Sequence, residues 1–421
     1  MTDTTRDMLG RSGLIPVDEA RQILLDSLRS HIPDQQTIPL TQALDRVLAV
    51  PVFAPEDLPA HARSTMDGFA VRAADTFGTS ESMPGYLQIA GEINMGEAPD
   101  GQQVTTGTCL RIPTGGLLPD GADAVVMFEH TVPVDDTLVE IVKGVGPGVN
   151  TLGRGEDIAR GQLALPAGQL LRPQDLGLLA GLGIHQVTVT RTVSVGIIST
   201  GDEIVPYTET PAPGKIRDIN KIALGGQVRR AGAVVVDYGI VSDRREIFLP
   251  LLRQAVEAND LVLFSGGSSV GMRDLGEQAI AELHPPGILV HGVALKPGKP
   301  VIIGLSGMKP VFGLPGHPVS AMVCFDLFVR PAIDRLAGRM TDQLPEAAII
   351  ARVDRNINSA AGRRDIVRVK LIREDHGWAA EPVLGKSGAI SSLARAHGYF
   401  IIPESSQGMS QDTLITVHLY S

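Results

Sequence analysis

Residues 261–274 constrain this chain more tightly than any other stretch. Leu261-Val262-Leu263-Phe264 is an apolar run too short for a helix; it breaks at Ser265-Gly266-Gly267-Ser268-Ser269, and a helical pattern follows from Asp274 to Leu283. A strand, a loop of small residues and a helix form the geometry that turns backbone N–H groups toward an anion. Missing Cβ atoms let such a loop approach a phosphate closely. Asp274, at the expected helix start, suits a cap or a metal shared with phosphates. On its own the segment reads equally as a phosphate or nucleotide loop and as a tight turn. Gly267-Ser268-Ser269-Val270-Gly271 also matches G-x-S-x-G, the nucleophile elbow of serine hydrolases. That reading needs an acid and a histidine further on, for which Asp326 and His397 are the nominees.

The surrounding pattern places this segment in a sheet. Val193 to Ser199 reads as a buried strand, Lys221 to Arg230 as a helix and Ala233 to Val241 as a strand. Asp243-Arg244-Arg245-Glu246 carries a capping-box signature for a helix to Ala258. Then come a strand at 288–295, a β pair at 300–305 and 310–314, and a helix from Pro318 to Leu336. Strands alternating with helices predict a parallel sheet with helices on both faces and ligands outside the carboxyl ends of the strands. Three unusual loops leave strands at that edge: Thr200-Gly201-Asp202-Glu203, 265–274, and Gly313-Leu314-Pro315-Gly316-His317-Pro318.

At 421 residues the chain exceeds one core, and about two to four domains are expected. Val17 to Ile32 has helical spacing closed by Pro33, and Thr37 to Val52 resembles a short helix followed by a strand. Residues 53–150 are turn-rich and alternating, which predicts a small β-dominated domain. Residues 151–190 add short strands and a helix around Asp175 to Leu182, and 345–421 read as a small β-barrel or sandwich. The fold class is multi-domain α/β and β, with a central parallel-sheet α/β domain.

A net charge of −10 argues against general nucleic-acid or anionic-membrane binding, so an anionic ligand needs a local basic pocket. Cys109 and Cys324 lie in no C-x-x-C spacing, which fits a reducing compartment. No apolar segment follows Met1 to Asp7, and no run reaches the roughly 18 apolar residues of a membrane span. The expectation is a cytoplasmic, soluble protein.

Several polar clusters bear chemistry. Asp202-Glu203 directly after a strand reads as a solvated turn or, with Asp274 at the same edge, as a site for Mg²⁺, a hard cation that takes oxygen ligands. Lys296-Pro297-Gly298-Lys299-Pro300 holds two cations on a stiff loop, suiting an oxyanion or a solvated basic turn. G-x-x-x-x-G-K-[ST] is missing, which excludes a P-loop NTPase. The helix start after Gly313–Pro318, with Ser320, is a further anion site, while His317 reads as packed or capping. Ser64 to Ala70 and Arg111 to Gly116 read as turns on physical grounds alone.

Together these segments resemble the molybdopterin molybdenumtransferase family, which includes the E domain of gephyrin. The resemblance rests on Ser64–Ala70, Arg111–Gly116 with Gly121–Val126, Gly153–Ile158, Ser199–Ile204, Ser265–Asp274, Lys296–Pro300 and Gly313–Met322, and it spans essentially the whole chain. It implies an elongated, discontinuous N-terminal domain (15–52 and 151–190), an inserted β-rich domain (53–150), an α/β molybdopterin-binding domain (191–340) and a C-terminal small β-barrel (345–421). It also implies a homodimer with the cleft shared between subunits. The implied reaction inserts molybdate into adenylylated molybdopterin, with Mg²⁺-dependent release of AMP.

By that resemblance Glu203 and Asp274, with Asp243, hold Mg²⁺, and Asp67 and Thr114 act where a second subunit or domain closes over the pterin nucleotide. Lys296, Lys299 and Ser320, with Arg363 and Ser392 of the tail, match the molybdate pocket, and Ser265, Gly266, Gly267, Ser269 and Pro315 fall in matching cofactor-binding loops. The implied partners are the anionic pterin nucleotide, the oxyanion and a second copy, with contacts to the molybdopterin adenylyltransferase and to molybdoenzyme insertion factors; no nucleic acid or membrane is expected. Several positions depart from the family pattern. Ser268 replaces the Val of S-G-G-V-S, and Ile216-Arg217-Asp218-Ile219-Asn220 stands for I-Y-D-S-N. His317 and His397 replace the Asn of G-L-P-G-N-P and of A-N-G. The alternative functional reading is a paralogue that binds the pterin or cofactor as carrier or scaffold. The adenylyltransferase itself would share the central α/β domain alone.

Overall fold

Successive residues of the Leu261–Gly266 strand serve two different cores. Leu261 and Leu263 pack into one cluster, Val262 and Phe264 into another, because side chains alternate across a strand. A sheet apolar on both faces must be covered on both. One cover includes Leu224 and Val228 of the Asn220–Arg230 helix and Leu24 of the Val17–Ser27 helix; the other includes Phe248 and Leu252 of Arg245–Ala258 and Ile280 of Val270–Ala281. The computed structural model describes residues 14–266, 270–340 and 347–420, without the side chains of 270–274.

The sheet has six strands in the order Val234–Val241, Ser194–Thr200, Leu261–Gly266, Lys309–Leu314, Ile302–Ser306, Pro286–His291. The first four are parallel, but Ile302–Ser306 runs antiparallel to both its neighbours, so the sheet is mixed rather than parallel throughout. Ser306 pairs with Lys309, and a two-residue Gly307-Met308 connection can only close a hairpin. Gly307 takes φ 61° there, a value that suits glycine.

Other boundaries differ from expectation for identifiable reasons. The first helix ends at Ser27 rather than Ile32; Leu28 is fully buried but Ile32 is 82% exposed, so no core contact supports a further turn. The helix expected after Thr37 is instead a strand, Gln35–Pro39, and one 3-10 turn, Leu40–Gln42, because Thr37-Ile38 favour extended backbone and Pro39 lacks a helical donor. The 288–295 strand divides at Gly292 (φ 82°) into Pro286–His291 and Leu295–Lys296. Asp243 makes no capping box: the helix starts at Arg245 and its N-cap, Arg244, makes no side-chain cap bond.

Strands Arg364–Glu374, Gly377–Pro382, Ala348–Val353, Leu414–Leu419 and Gly398–Ile402 pair in that order, and the last returns to the first, giving a closed five-stranded barrel. Val353, Val369, Ala380, Phe400 and Val417 fill it. The chain divides into two compact units, one comprising residues up to Gln36, Asp45–Ala49 and Val189 onward, the other Thr37–Leu44 and Val50–Thr188. The helix Val17–Ser27 therefore belongs with the α/β sheet and the barrel. In the second unit a six-stranded sheet packs Phe69, Cys109 and Val126 on one face and Ala70, Leu110 and Val125 on the other. Its Pro173–Gly181 helix corresponds to the one expected around Asp175. Among the described residues no helix is long and apolar enough to cross a membrane.

Candidate active site

Parallel pairing of Ser194–Thr200 with Val234–Val241, Thr200 opposite Val241, releases two acidic loops side by side at one sheet edge. Asp202 and Glu203 follow the first strand and Asp243 the second. The Glu203 carboxylate lies over Gly201, where an added Cβ would come within 2.7 Å of Oε2. The Asp243 carboxyl is pushed up to about 6, first by burial and then by the charges of Glu203 and Asp202. Its Oδ1 is buried with no hydrogen-bond partner among the described residues. A buried carboxylate oxygen among like charges calls for a cation. Among the described residues no three His, Cys, Asp or Glu side chains form a metal site. The Asp274 side chain, with Gly267, Ser268 and Ser269, lies outside the described residues; the Asp274 backbone belongs to the Val270–Ala281 helix.

In the same unit, a cleft of about 600 Å³ opens beside this edge of the sheet, reaching from Phe264, Gly266 and Gly313 to the barrel segment. Gly266 must lack a side chain, because a Cβ there would sit 1.8 Å from the Thr200 carbonyl oxygen. Lys296, Lys299, Arg363, Arg368 and Lys386 line the cleft, and Asp365 is the acid among its described lining residues. Asp365 is only 3% exposed. It accepts hydrogen bonds from Lys296 Nζ (3.0 Å), Ser359 Oγ (2.8 Å) and Arg363 Nε (3.2 Å), so one buried carboxylate aligns two of the cations. The lysine loop is anchored at Gly298, whose carbonyl accepts a hydrogen bond from the buried Cys324 thiol at 3.4 Å. Gly298 takes φ 128°, and a Cβ there would reach Cys324 Sγ at 2.8 Å.

Arg368, which the sequence did not single out, also lines the cleft. It is 9% exposed; Nη2 donates to the Gly385 carbonyl at 2.9 Å, while Nε and Nη1 are buried and have no partner among the described residues. Burial depresses its pKa, with the Tyr420 hydroxyl acting the other way, but a guanidinium stays protonated and its idle donors favour an anion. The available signal was a lone cation inside the apolar run Ile366-Val367-Arg368-Val369. Ser387 and Lys386 also line the cleft and were not expected.

Pro315 and the buried Ser320 line the cleft. Ser265 is buried within the sheet, paired with Ser199 and Leu314, and is not a lining residue. Ser392 is fully buried, and its hydroxyl closes a turn onto the Ala389 carbonyl at 2.7 Å. The tail serine on the cleft wall is Ser387 instead. His317 is neither packed nor a side-chain cap; it is exposed on the cleft wall, with Nδ1 2.8 Å from Ser387 Oγ. Arg217 Nε donates to the Glu209 carbonyl at 2.9 Å.

In the second unit, Thr114 N–H donates to Asp67 Oδ1 at 2.7 Å, so those two expected residues meet. The turn is held further by Arg63 Nη1, which donates to the Gly115 carbonyl at 2.9 Å. The residues nominated for a hydrolase have structural partners. His397 Nδ1 accepts the Leu371 N–H at 3.1 Å within the barrel, and Asp326 accepts from Gln227 Nε2 at 2.8 Å inside a helix.

Comparison with known proteins agrees along the chain. Residues 15–183 match the MoeA N-terminal region (domain I and II), 196–335 the family described as "Probable molybdopterin binding domain", and 351–420 the MoeA C-terminal region (domain IV). Molybdopterin molybdenumtransferase 2 of Mycobacterium tuberculosis is 35% identical over 395 residues, covering 92% of this chain and 95% of that protein. A molybdopterin molybdenumtransferase of Staphylococcus aureus is 30% identical over 406 residues, covering 96% and 95%. The crystal structure of a molybdopterin biosynthesis MoeA protein from Pyrococcus horikoshii superposes with a TM-score of 0.82 at 33% identity, covering 97% of this chain and all of that one. The chain therefore belongs to the MoeA family of molybdenum cofactor biosynthesis.

Proposed function

We propose that this chain is a molybdopterin molybdenumtransferase that inserts molybdate into adenylylated molybdopterin with Mg²⁺-dependent release of AMP. One observation carries the reading: the unpaired, buried oxygen of Asp243 beside Glu203 and the cation-lined cleft occupy the same unit, at the edge where its parallel strands end. Glu203 and Asp243, with Asp274, would hold Mg²⁺, which neutralises phosphoanhydride charge when bound. Lys296 and Arg363, aligned by Asp365, supply fixed positive charge to the molybdate, and Arg368 adds its charge to the cleft wall. Ser320 adds a hydroxyl, and Lys299 a second ammonium on the same loop.

Asp67 and Thr114, already hydrogen-bonded to one another, are read as closing over the nucleotide from a second copy in a homodimer. The four-domain division at 15–52 with 151–190, 53–150, 191–340 and 345–421 is part of the same reading, supported by the separate family matches to the N-terminal, central and C-terminal regions.

A single-turnover assay with adenylylated molybdopterin, Mg²⁺ and molybdate tests it. AMP release should depend on molybdate and fall by on the order of a hundredfold or more in Glu203→Gln. Tight binding of the nucleotide without AMP release would make the protein a carrier instead.

A further inference from the structure

His317 has a position that neither packing nor helix capping explains. It sits on the cleft wall, exposed, with no side-chain capping bond to the helix that follows. Two contacts join its loop to the barrel side: Nδ1 lies 2.8 Å from Ser387 Oγ, and Val319 N–H donates to the Ser387 carbonyl at 3.2 Å. The ring is thereby oriented through Nδ1, and Nε2 has no protein partner among the described residues.

That arrangement determines what Nε2 can do. When the Ser387 hydroxyl donates to Nδ1, the neutral ring carries its proton on Nε2, which becomes a donor. When the ring is protonated, Nδ1–H donates to Ser387 Oγ and Nε2–H remains a donor, now with a positive charge. Among the described residues the charged groups lining the same cleft are Lys296, Lys299, Arg363, Arg368, Lys386 and Asp365. A dianion bound among them attracts the charged ring more strongly than the neutral one. Anion binding and protonation of His317 are then linked, each favouring the other. An amide at this position, as the resemblance leads one to expect, can donate but cannot gain charge.

We propose that His317 is an additional anion-contacting, specificity-determining residue of the cleft, donating through Nε2 and strengthening capture of a tetrahedral dianion as the solution becomes more acidic. The inference rests on the reading of the cleft as an oxyanion site. Its test is calorimetric titration of the full chain with sulfate, which does not titrate in the relevant range, and with molybdate, from about pH 6 to pH 8 where imidazole changes charge. Wild-type protein should bind both anions on the order of tenfold more tightly at the acid end. His317→Asn should bind with no such slope, and His317→Gln, whose amide reaches toward the Nε2 position, should recover the alkaline-end affinity without the slope. A flat wild-type profile, or a slope retained in His317→Asn, overturns the role of His317 alone. Failure of wild-type protein to bind either anion at any pH overturns the oxyanion reading of the cleft together with it.

Discussion

The Asp243 carboxyl has an oxygen that no described protein group satisfies, and burial together with Glu203 and Asp202 disfavours its charge. The consequence for stability has a definite sign. The folded-state pKa, near 6, lies above the ordinary 3.8, so the folded chain binds this proton more tightly than the unfolded one. The resulting stabilisation is complete below about pH 4 and lost as pH rises through about 6. Asp243→Asn should therefore stabilise the chain at neutral pH by about 1 kcal/mol once solvent screening is allowed for, raising its melting temperature, and change nothing near pH 4. Thermal melts across that range check it; an Asn variant less stable at neutral pH contradicts it. Mg²⁺ should raise the wild-type melting temperature and have a smaller effect on the variant. Gly266 makes a second residue-scale case. The sequence marks it as a loop glycine, but its constraint comes from the neighbouring strand, since a Cβ would strike the Thr200 carbonyl. Gly266→Ala should cost about 2–3 kcal/mol in denaturant unfolding, and a neutral outcome would mean that the strand ends move apart easily. Arg368 and Ser387 were not legible because their relevance depends on the barrel and the α/β loops meeting, a non-local event with no local period.

At the scale of elements, period and punctuation served well wherever one face was buried. The strands 194–200, 234–241 and 261–266 and the helices 220–230 and 245–258 follow the pattern closely, because apolar spacing alone determines them. Direction within the sheet was less legible: only the shortness of the Gly307-Met308 turn distinguishes a hairpin from a crossover. The Val17–Ser27 helix packs in the sheet's core. Arg364 also ties it to the barrel, donating to both Asp18 carboxylate oxygens at 2.9 and 2.6 Å. The same guanidinium Nε lies 3.1 Å from Glu404, and the Arg364 side chain is 15% exposed against 74% for Asp18. Arg364→Ala should destabilise by about 1–3 kcal/mol because it leaves the half-buried Glu404 unpaired, whereas Asp18→Ala should cost less than about 1 kcal/mol. Equal losses in urea unfolding would contradict that division. The Arg364 guanidinium also holds the Asp18 carboxyl below its ordinary range, so this contribution is present above about pH 4 and fades as pH falls further.

For the whole molecule, the net charge of −10 demanded that any anion site be a local basic pocket, and the cleft with its five cations meets that demand. The residues read as catalytic or metal-holding are divided between two compact units: Glu203, Asp243 and Asp274 in one, Asp67 and Thr114 in the other. Under the proposed function the cation-lined cleft and the acidic edge belong to one unit and the Asp67–Thr114 turn to the other. The most direct test of the account quantifies AMP and pterin-bound molybdenum in the same single-turnover reaction, for wild-type protein and for Glu203→Gln and Arg368→Ala. The account predicts equimolar AMP and bound molybdenum in wild-type protein, loss of both in Glu203→Gln, and a raised molybdate requirement in Arg368→Ala. AMP released without molybdenum capture, or molybdenum captured equally well by all three proteins, would contradict it.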